Sequence, residues 1–488
     1  MKGFNQFIRR HWFIIILVIV GAFLRFYRIE ATLQFLGDQG RDAIVLRNML
    51  VNKDLPFIGP TTSVGSFFLG PFYYYLMAPF LWFANYNPVG PAIANALIGI
   101  ITIPVIYFVT KEMLSVYAAQ LATLLYTFAA VPINETRSTW NPNPMPLAVL
   151  GIVFGFFKAK KTKNPRWLYL SALSLGIALQ LHYMIVFLAP FILFELINVF
   201  REKKLRKHLL IWFLIIVLMM LPLILFEFKN NFLNLTGLKY YLTKNEYGQV
   251  DFLQKFRDLK GRSEQAIGML LGFGEPYSIF REWLTRLIWI PGLYLLFKKA
   301  TIGYKTIVLW VFFTIATITF YQGRIPPYYL GFLFPAVFIL VADLLTRLKG
   351  KFKIITFAFI AVFLFFNFQT LSQILTQTGN LKTVRKTASF IKKDIDDKKY
   401  QNYNLALLDG TKDYRASSFR YFLELYGGKP LGIDQYPQTN ILYVVSPYKQ
   451  EPDVVDHPIW EIKSLRPSEI TDIWEFEDSE NIYKIERI

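Results

Sequence analysis

The chain alternates long apolar blocks with short basic runs, and few folds tolerate that alternation. FIIILVIVGAF (13–23) and LLIWFLIIVLMM (209–220) hold no charge, while KAKKTKNPR (158–166), REKKLRKH (201–208) and RLKGKFK (347–353) concentrate it. A bilayer core is filled by about 20 apolar residues of helix. Of 488 residues, 54% are hydrophobic and only 18% charged, and the mean hydropathy is +0.35. A soluble chain of this length would form several domains with charged surfaces. This composition specifies a polytopic membrane protein instead. The 17% of aromatic residues fit belts at the ends of lipid-facing helices.

Charge and cysteine usage exclude other classes. The net charge of +19 would suggest a nucleic-acid partner on a soluble protein. Here the bases sit between apolar blocks and set topology, so no nucleic acid is expected. With no cysteine and four histidines, disulfides, a thiol nucleophile and a Cys- or His-rich metal cage are ruled out. No A-x-A-like site follows the first apolar block, so it reads as retained.

Lys2, Arg9 and Arg10 place the N-terminus in the cytoplasm. The first helix runs from about His11 to Tyr27. At its outer exit, Arg25 and Arg28 either snorkel or meet an anionic headgroup. An outer loop over 29–88 follows. Within it, GPFYYYLMAPFLWF (70–83) is too short to span and reads as a helix in the interface. Further helices are expected at about 89–110, 116–133, 145–157, 167–181, 183–200, 209–226, 283–297, 306–321, 328–346 and 354–370, with a second large outer loop at 227–282. About eleven spans result, and every strong basic run then falls on the same side. The expected protein is an all-α multi-pass protein of the cell (inner or plasma) membrane, with 1–370 as its transmembrane domain.

Residues 371–488 are charged and hold no run long enough to span. LKTVRKTASFIKKDI (381–395) reads as an amphipathic helix. NLALLD (404–409) and NILYVVS (440–446) read as strands flanking the helix YRASSFRYFLELYGG. IWEIKSL (459–465) and NIYKIERI (481–488) are candidates for further strands. A small extracytoplasmic α/β domain is expected.

The chemistry concentrates in LGDQGRDA (36–43), in the first outer loop. On a helix, Asp38, Arg41 and Asp42 share one face, and Gly37 and Gly40 permit close backbone approach. The bland alternative is a solvated loop or an interhelical salt bridge. Unpaired charge beside apolar helices costs a few kcal/mol, about 3 on insertion scales, which favours a site. The outer motif NETRSTWNPNP (134–144) adds Glu135, Arg137 and Asn141. Glu227, Lys229, Arg324, His182, Tyr183, Tyr328 and Tyr329 stand at other loop–helix junctions. His182 is a candidate proton acceptor or metal ligand, and Tyr328 and Tyr329 are belt residues or cover a sugar. P-loop, GxGxxG, HExxH and GxSxG motifs are absent from the sequence. The D-x-D at Asp394 and Asp396 lies in the Lys-rich KKDIDDKK and reads as a solvated helix face.

GAFLRFYRI (21–29), GPFYYYLMAPF (70–80), NETRSTWNP (134–142), LQLHYMIVFLAP (179–190) and RIPPYYLGFLFP (324–335) together resemble the C-type integral-membrane glycosyltransferases. The branch is that of the protein mannosyltransferases and aminoarabinose transferases, and the likeness covers about residues 12–345. It implies transfer of a sugar from a polyprenyl-phosphate donor to a glycan, lipid or protein acceptor on the extracytoplasmic face. It assigns the general base to the acidic residue of the first outer loop, by position Asp38. The family often has Asp-Glu there; this chain has Asp38–Gln39, with Asp42 one turn on. A divalent metal, with Asp38 and His182 as candidate ligands, is implied only as an option. The residues suit the reaction: a carboxylate deprotonates the acceptor while Arg41, Arg137, Lys229 and Arg324 are cations for the leaving phosphate. The alternatives are a transporter or flippase of polyprenyl-linked sugars, and a non-catalytic surface-binding protein working through its C-terminal domain.

Overall fold

The structure is a computed structural model that describes residues 2–62, 67–243, 252–273, 278–298, 300–321, 323, 325–446, 454–475 and 480–488. Its helices are α1 (Lys2–Phe26), α2 (Ile29–Thr32), α3 (Gly37–Val51), α4 (Phe72–Phe83), α5 (Val89–Met113), α6 (Val116–Phe128), α7 (Ala130–Thr136), α8 (Met145–Thr162), α9 (Pro165–Leu181), α10 (Ala189–Arg201), α11 (Lys203–Arg206), α12 (Leu209–Met219), α13 (Leu221–Lys229), α14 (Leu233–Thr243), α15 (Phe252–Leu270), α16 (Ser278–Phe297), α17 (Ile302–Ile318), α18 (Phe334–Thr346), α19 (Lys353–Thr376), α20 (Leu381–Lys398), α21 (Ser417–Leu425) and α22 (Trp460–Lys463). Two compact units form. One comprises Met1–Tyr27, Pro56–Leu76 and Ala92–Thr376; the other comprises Arg28–Leu55, Met77–Pro91 and Gln377–Ile488.

The first unit is helical. Among the described residues, Val89–Met113, Tyr183–Arg201 and a window within Gly350–Lys398 are long and apolar enough to cross a membrane, giving three spans, or up to five if each of two bent pairs is one span. The other expected spans coincide with shorter or charge-bearing helices, among them α8, α9 and α16. Small residues bring helices together: a side chain on Gly155 would meet the Trp167 carbonyl at 2.6 Å, so α8 lies directly on α9. Trp212 Nε1 donates to Ser171 Oγ at 2.9 Å, fastening α12 to α9. The bend between α6 and α7 is 59°. The freed Ala130 N–H finds Asn367 Oδ1 of α19 at 2.8 Å, as an apolar surrounding requires.

Arg25 does not snorkel. It is fully buried, with its guanidinium 5.7 Å from the Tyr126 ring centre and Nη1 donating to the Gly21 carbonyl at 3.2 Å. The aromatic face replaces water around the charge.

The basic loops of this unit gather at one end. Lys158 reaches Glu112 at 3.0 Å, Lys160 reaches Glu195 at 2.5 Å, and Lys163 pairs with Glu202. Arg347 bonds Asp343 at 2.6 Å and lies 4.9 Å over the Tyr304 ring. Gly303 abuts the Met113 carbonyl so closely that no side chain fits. Loops distant in sequence but alike in charge therefore lie close together in this unit.

The second unit contains a four-stranded sheet of order β1-β2-β4-β3, with β1 (Tyr403–Leu407), β2 (Ile441–Ser446), β3 (Ser468–Glu475) and β4 (Asn481–Arg487). β1 and β2 are parallel, and α21 is their crossover. β1 and β2 are buried throughout and read as continuous apolar runs. β3 pairs antiparallel with β4 and alternates between half-buried and exposed residues, as one covered face requires. IWEIKSL is not a strand: Trp460–Lys463 is a helical turn. Ile462 and Leu465, three apart, both point into the core, and that spacing matches a helix rather than a strand.

Candidate functional site

The acid–base cluster lies on the first turn of α3, in the second unit. Gln39 Oε1 accepts the Leu36 N–H at 3.1 Å and so caps its own helix. The position where the resembled family often has Glu is thus spent on the backbone. Arg41 Nη1 meets Asp38 Oδ1 at 2.8 Å. Arg41 Nε and Nη2 both donate to Asp42 Oδ1, at 3.0 and 2.9 Å. The two carboxylates differ in access: the Asp38 side chain is 49% exposed and that of Asp42 only 7%. Asp42 holds the guanidinium in place, and Asp38 is the carboxylate a substrate can reach.

Segments far along the chain hold this turn. Asn380 clasps Phe35 by both backbone groups, accepting its N–H at 2.6 Å and donating to its carbonyl at 3.3 Å. The Phe35 ring packs edge-on to Tyr421 and Phe422. Arg47, at the far end of α3, reaches Glu424 at 3.8 Å. Gly37 and Gly40 are required where they stand: a side chain at Gly37 would lie 2.4 Å from Asp413 Cβ, and one at Gly40 would lie 2.3 Å from Ser418 N. Asp413 accepts from Ser417 N–H at 2.7 Å and from Ser417 Oγ at 2.9 Å. Burial pushes the Asp413 carboxyl up to about 6, and the charges of Asp38 and Asp409 add to the rise. Sequence reading passed over Asp413; the available signal was an acid four residues before the first helical Ser417.

The remaining predicted residues belong to the first unit and make an aromatic group. His182 stacks on Tyr183 with ring centres 4.5 Å apart and lies 4.8 Å from Tyr329. Tyr183 Oη donates to Tyr329 Oη at 3.2 Å. Tyr328 stacks on Trp140 at 5.2 Å and 12°. His182 Nδ1 accepts the Met184 N–H at 3.3 Å, which leaves Nε2 to carry the proton of the neutral ring. Glu135 is buried and accepts from Asn134 Nδ2 at 3.4 Å. Asn141 Nδ2 donates to the Leu181 carbonyl, tying the 134–144 motif to the end of α9.

Two predicted residues, Arg137 and Glu227, have local structural duties. Arg137 donates to the carbonyls of Leu24, Arg25 and Tyr27 at 2.8, 3.1 and 2.9 Å and caps the C-terminus of α1. Glu227 accepts the N–H groups of Asn234 and Leu235 at 3.0 and 3.1 Å, capping α14. Lys229 is exposed at the end of α13. Arg324 lies outside the described residues. Among the described residues no three His, Cys, Asp or Glu groups lie together as metal ligands.

Comparison with solved structures identifies the architecture. ArnT from Cupriavidus metallidurans bound to undecaprenyl phosphate superposes with a TM-score of 0.63 at 13% identity, over 96% of this chain and 97% of that one. The chain shares the fold of ArnT. The Archaeoglobus fulgidus oligosaccharyltransferase complexed with Zn and sulfate matches at a TM-score of 0.58 and 13% identity, over 89% of this chain and 67% of that one. Archaeal AglB from the same organism, in complex with an inhibitory peptide and a dolichol-phosphate, matches at 0.54 and 13%, over 90% and 70%. The family model for dolichyl-phosphate-mannose-protein mannosyltransferases matches residues 69–226. That part of the fold holds Glu135, Asn141, His182 and Tyr183, while Asp38 lies before it. No curated protein sequence matches the chain.

Proposed function

We propose that the protein transfers a sugar from a polyprenyl-phosphate donor to an acceptor on the extracytoplasmic face of the membrane, with Asp38 as general base. One observation carries the base assignment: Asp38 is the accessible carboxylate of a turn in which Arg41 is locked by buried Asp42. The fold supports the donor class, since ArnT with that fold binds undecaprenyl phosphate. An incoming hydroxyl or amine gives its proton to Asp38 as it attacks the anomeric carbon. The bond to the lipid phosphate breaks, and the phosphate leaves as an anion. Arg41, two of whose nitrogens face Asp42, is the cation of this turn for that phosphate. The aromatic group around His182 and Tyr329 offers flat faces to sugar rings. About eleven spans, with the C-terminal segment outside, complete this reading, and direct displacement inverts the anomeric centre.

The experiment uses full-length protein in nanodiscs and the labelled lipid-linked sugar fraction extracted from membranes of the native host. Asp38→Asn is expected to lower label transfer by at least about a hundredfold, the scale of a lost general base. Undiminished transfer rejects the assignment. NMR showing the donor's anomeric configuration retained rejects direct displacement.

A transporter of polyprenyl-linked sugars has one observation in its favour: two helix pairs bent by 59°, since broken helices mark transport sites. It predicts movement of the intact lipid-linked sugar across a vesicle bilayer with no covalent transfer.

A further inference from the structure

The backbone that carries Asp38 is built against α21, within the same unit. The first turn of α21 occupies the space a side chain would need at Gly40, and Asp413, four residues before that helix, occupies the space at Gly37. Asp413 is held in one orientation by its two bonds from Ser417, and it lies against Gly37, the residue before Asp38. Asp38 from α3 and Asp409 from its own loop are the charges that act on Asp413. Arg41 is the cation bonded to Asp38. Gln39, next in sequence to Asp38, is turned back onto Leu36.

We propose that Asp413 and the first turn of α21 position the catalytic carboxylate, so that the C-terminal segment places a further acid beside Asp38. The proposal rests on the reading of Asp38 as general base. Asp413 acts through Asp38 by position. Its packing on Gly37 fixes the point from which the Asp38 side chain projects, and displacement of a catalytic group by about 1 Å costs up to a hundredfold in rate. The C-terminal segment is then part of the catalytic apparatus, which separates this view from a passive cap over the active face.

Two measurements on the full-length protein in nanodiscs test it. Hydrogen exchange of amides 37–43 needs no substrate. Gly40→Ala must push Ser418 aside and is expected to speed that exchange about tenfold or more, with the β1 and β2 amides unchanged. Equal exchange overturns the proposal. The second measurement uses the extracted lipid-linked sugar fraction. Asp413→Asn is expected to lower kcat about tenfold and leave the donor KM within about twofold. Asp413→Glu is expected to recover most of the rate. A kcat for Asp413→Asn equal to that of the wild type overturns the proposal. Should Asp38→Asn retain full activity, the base assignment falls, while the exchange measurement still decides the packing claim.

Discussion

Asn367→Ala tests how the bend between α6 and α7 survives in an apolar surrounding. The Asn367 side chain makes three hydrogen bonds: Oδ1 accepts the Ala130 N–H at 2.8 Å, and Nδ2 donates to the carbonyls of Leu271 and Phe363 at 3.0 and 2.9 Å. Asn367 and Ala130 are buried, so water does not replace the lost partners. Phe363 keeps its place in the helix ladder. The Ala130 N–H and the Leu271 carbonyl are left orphaned at about 1–3 kcal/mol each, or about 2–6 kcal/mol together. Gly272 belongs to the same knot: its φ is +85°, and a side chain there would lie 2.4 Å from Asn367 Nδ2. The assay is hydrogen exchange of residues 130–136 and 268–273 in nanodiscs. About 2 kcal/mol corresponds to at least about 30-fold faster exchange if both regions open locally, with β1 as the unaffected control. A change below about threefold refutes the claim that Asn367 holds the bend.

Other expectations follow from the same geometry. Glu227→Ala removes the acceptor for two first-turn amides of α14 and should cost about 1 kcal/mol, seen as faster proteolysis across 233–243. Asp413 has its carboxyl raised from 3.8 to about 6, so the folded form holds its proton more tightly than the unfolded chain does. Its contribution favours folding below about pH 4 and falls by up to about 3 kcal/mol as pH rises through about 6. Thermal unfolding of Asp413→Asn should lack that slope, and equal slopes reject it. Reporter fusions after Lys161 and after Asp394 should report cytoplasm and exterior; the reverse pattern overturns the topology.

Local pattern made part of this fold legible. Strands β1, β2 and β4 and helices α20 and α21 follow from apolar runs and 3.6-residue spacing, and α4 from an aromatic block between prolines. β3 was missed because SEITDIWE alternates weakly and carries three acids. IWEIKSL alternates like a strand but has the buried pair Ile462 and Leu465 at helical spacing. In the candidate site, the spacing of Asp38, Arg41 and Asp42 on one helix face was legible, and the salt bridges follow it. The partners of that turn were not. Asn380 and Phe35 are 345 residues apart, and nothing local in either segment names the other. The partners of Arg137 were illegible for a related reason: the α1 carbonyls it bonds lie 110 to 113 residues earlier.

The clasp of Asn380 on Phe35 also sets an order of events during synthesis. When α3 leaves the ribosome, the residues that cover it do not yet exist. At bacterial or eukaryotic elongation rates, 345 residues take roughly 20–70 s. For that interval the Asp38 turn waits without the ring faces and amide clasp that later enclose it. A nascent chain arrested before α21 would present this loop naked, to proteases and chaperones alike.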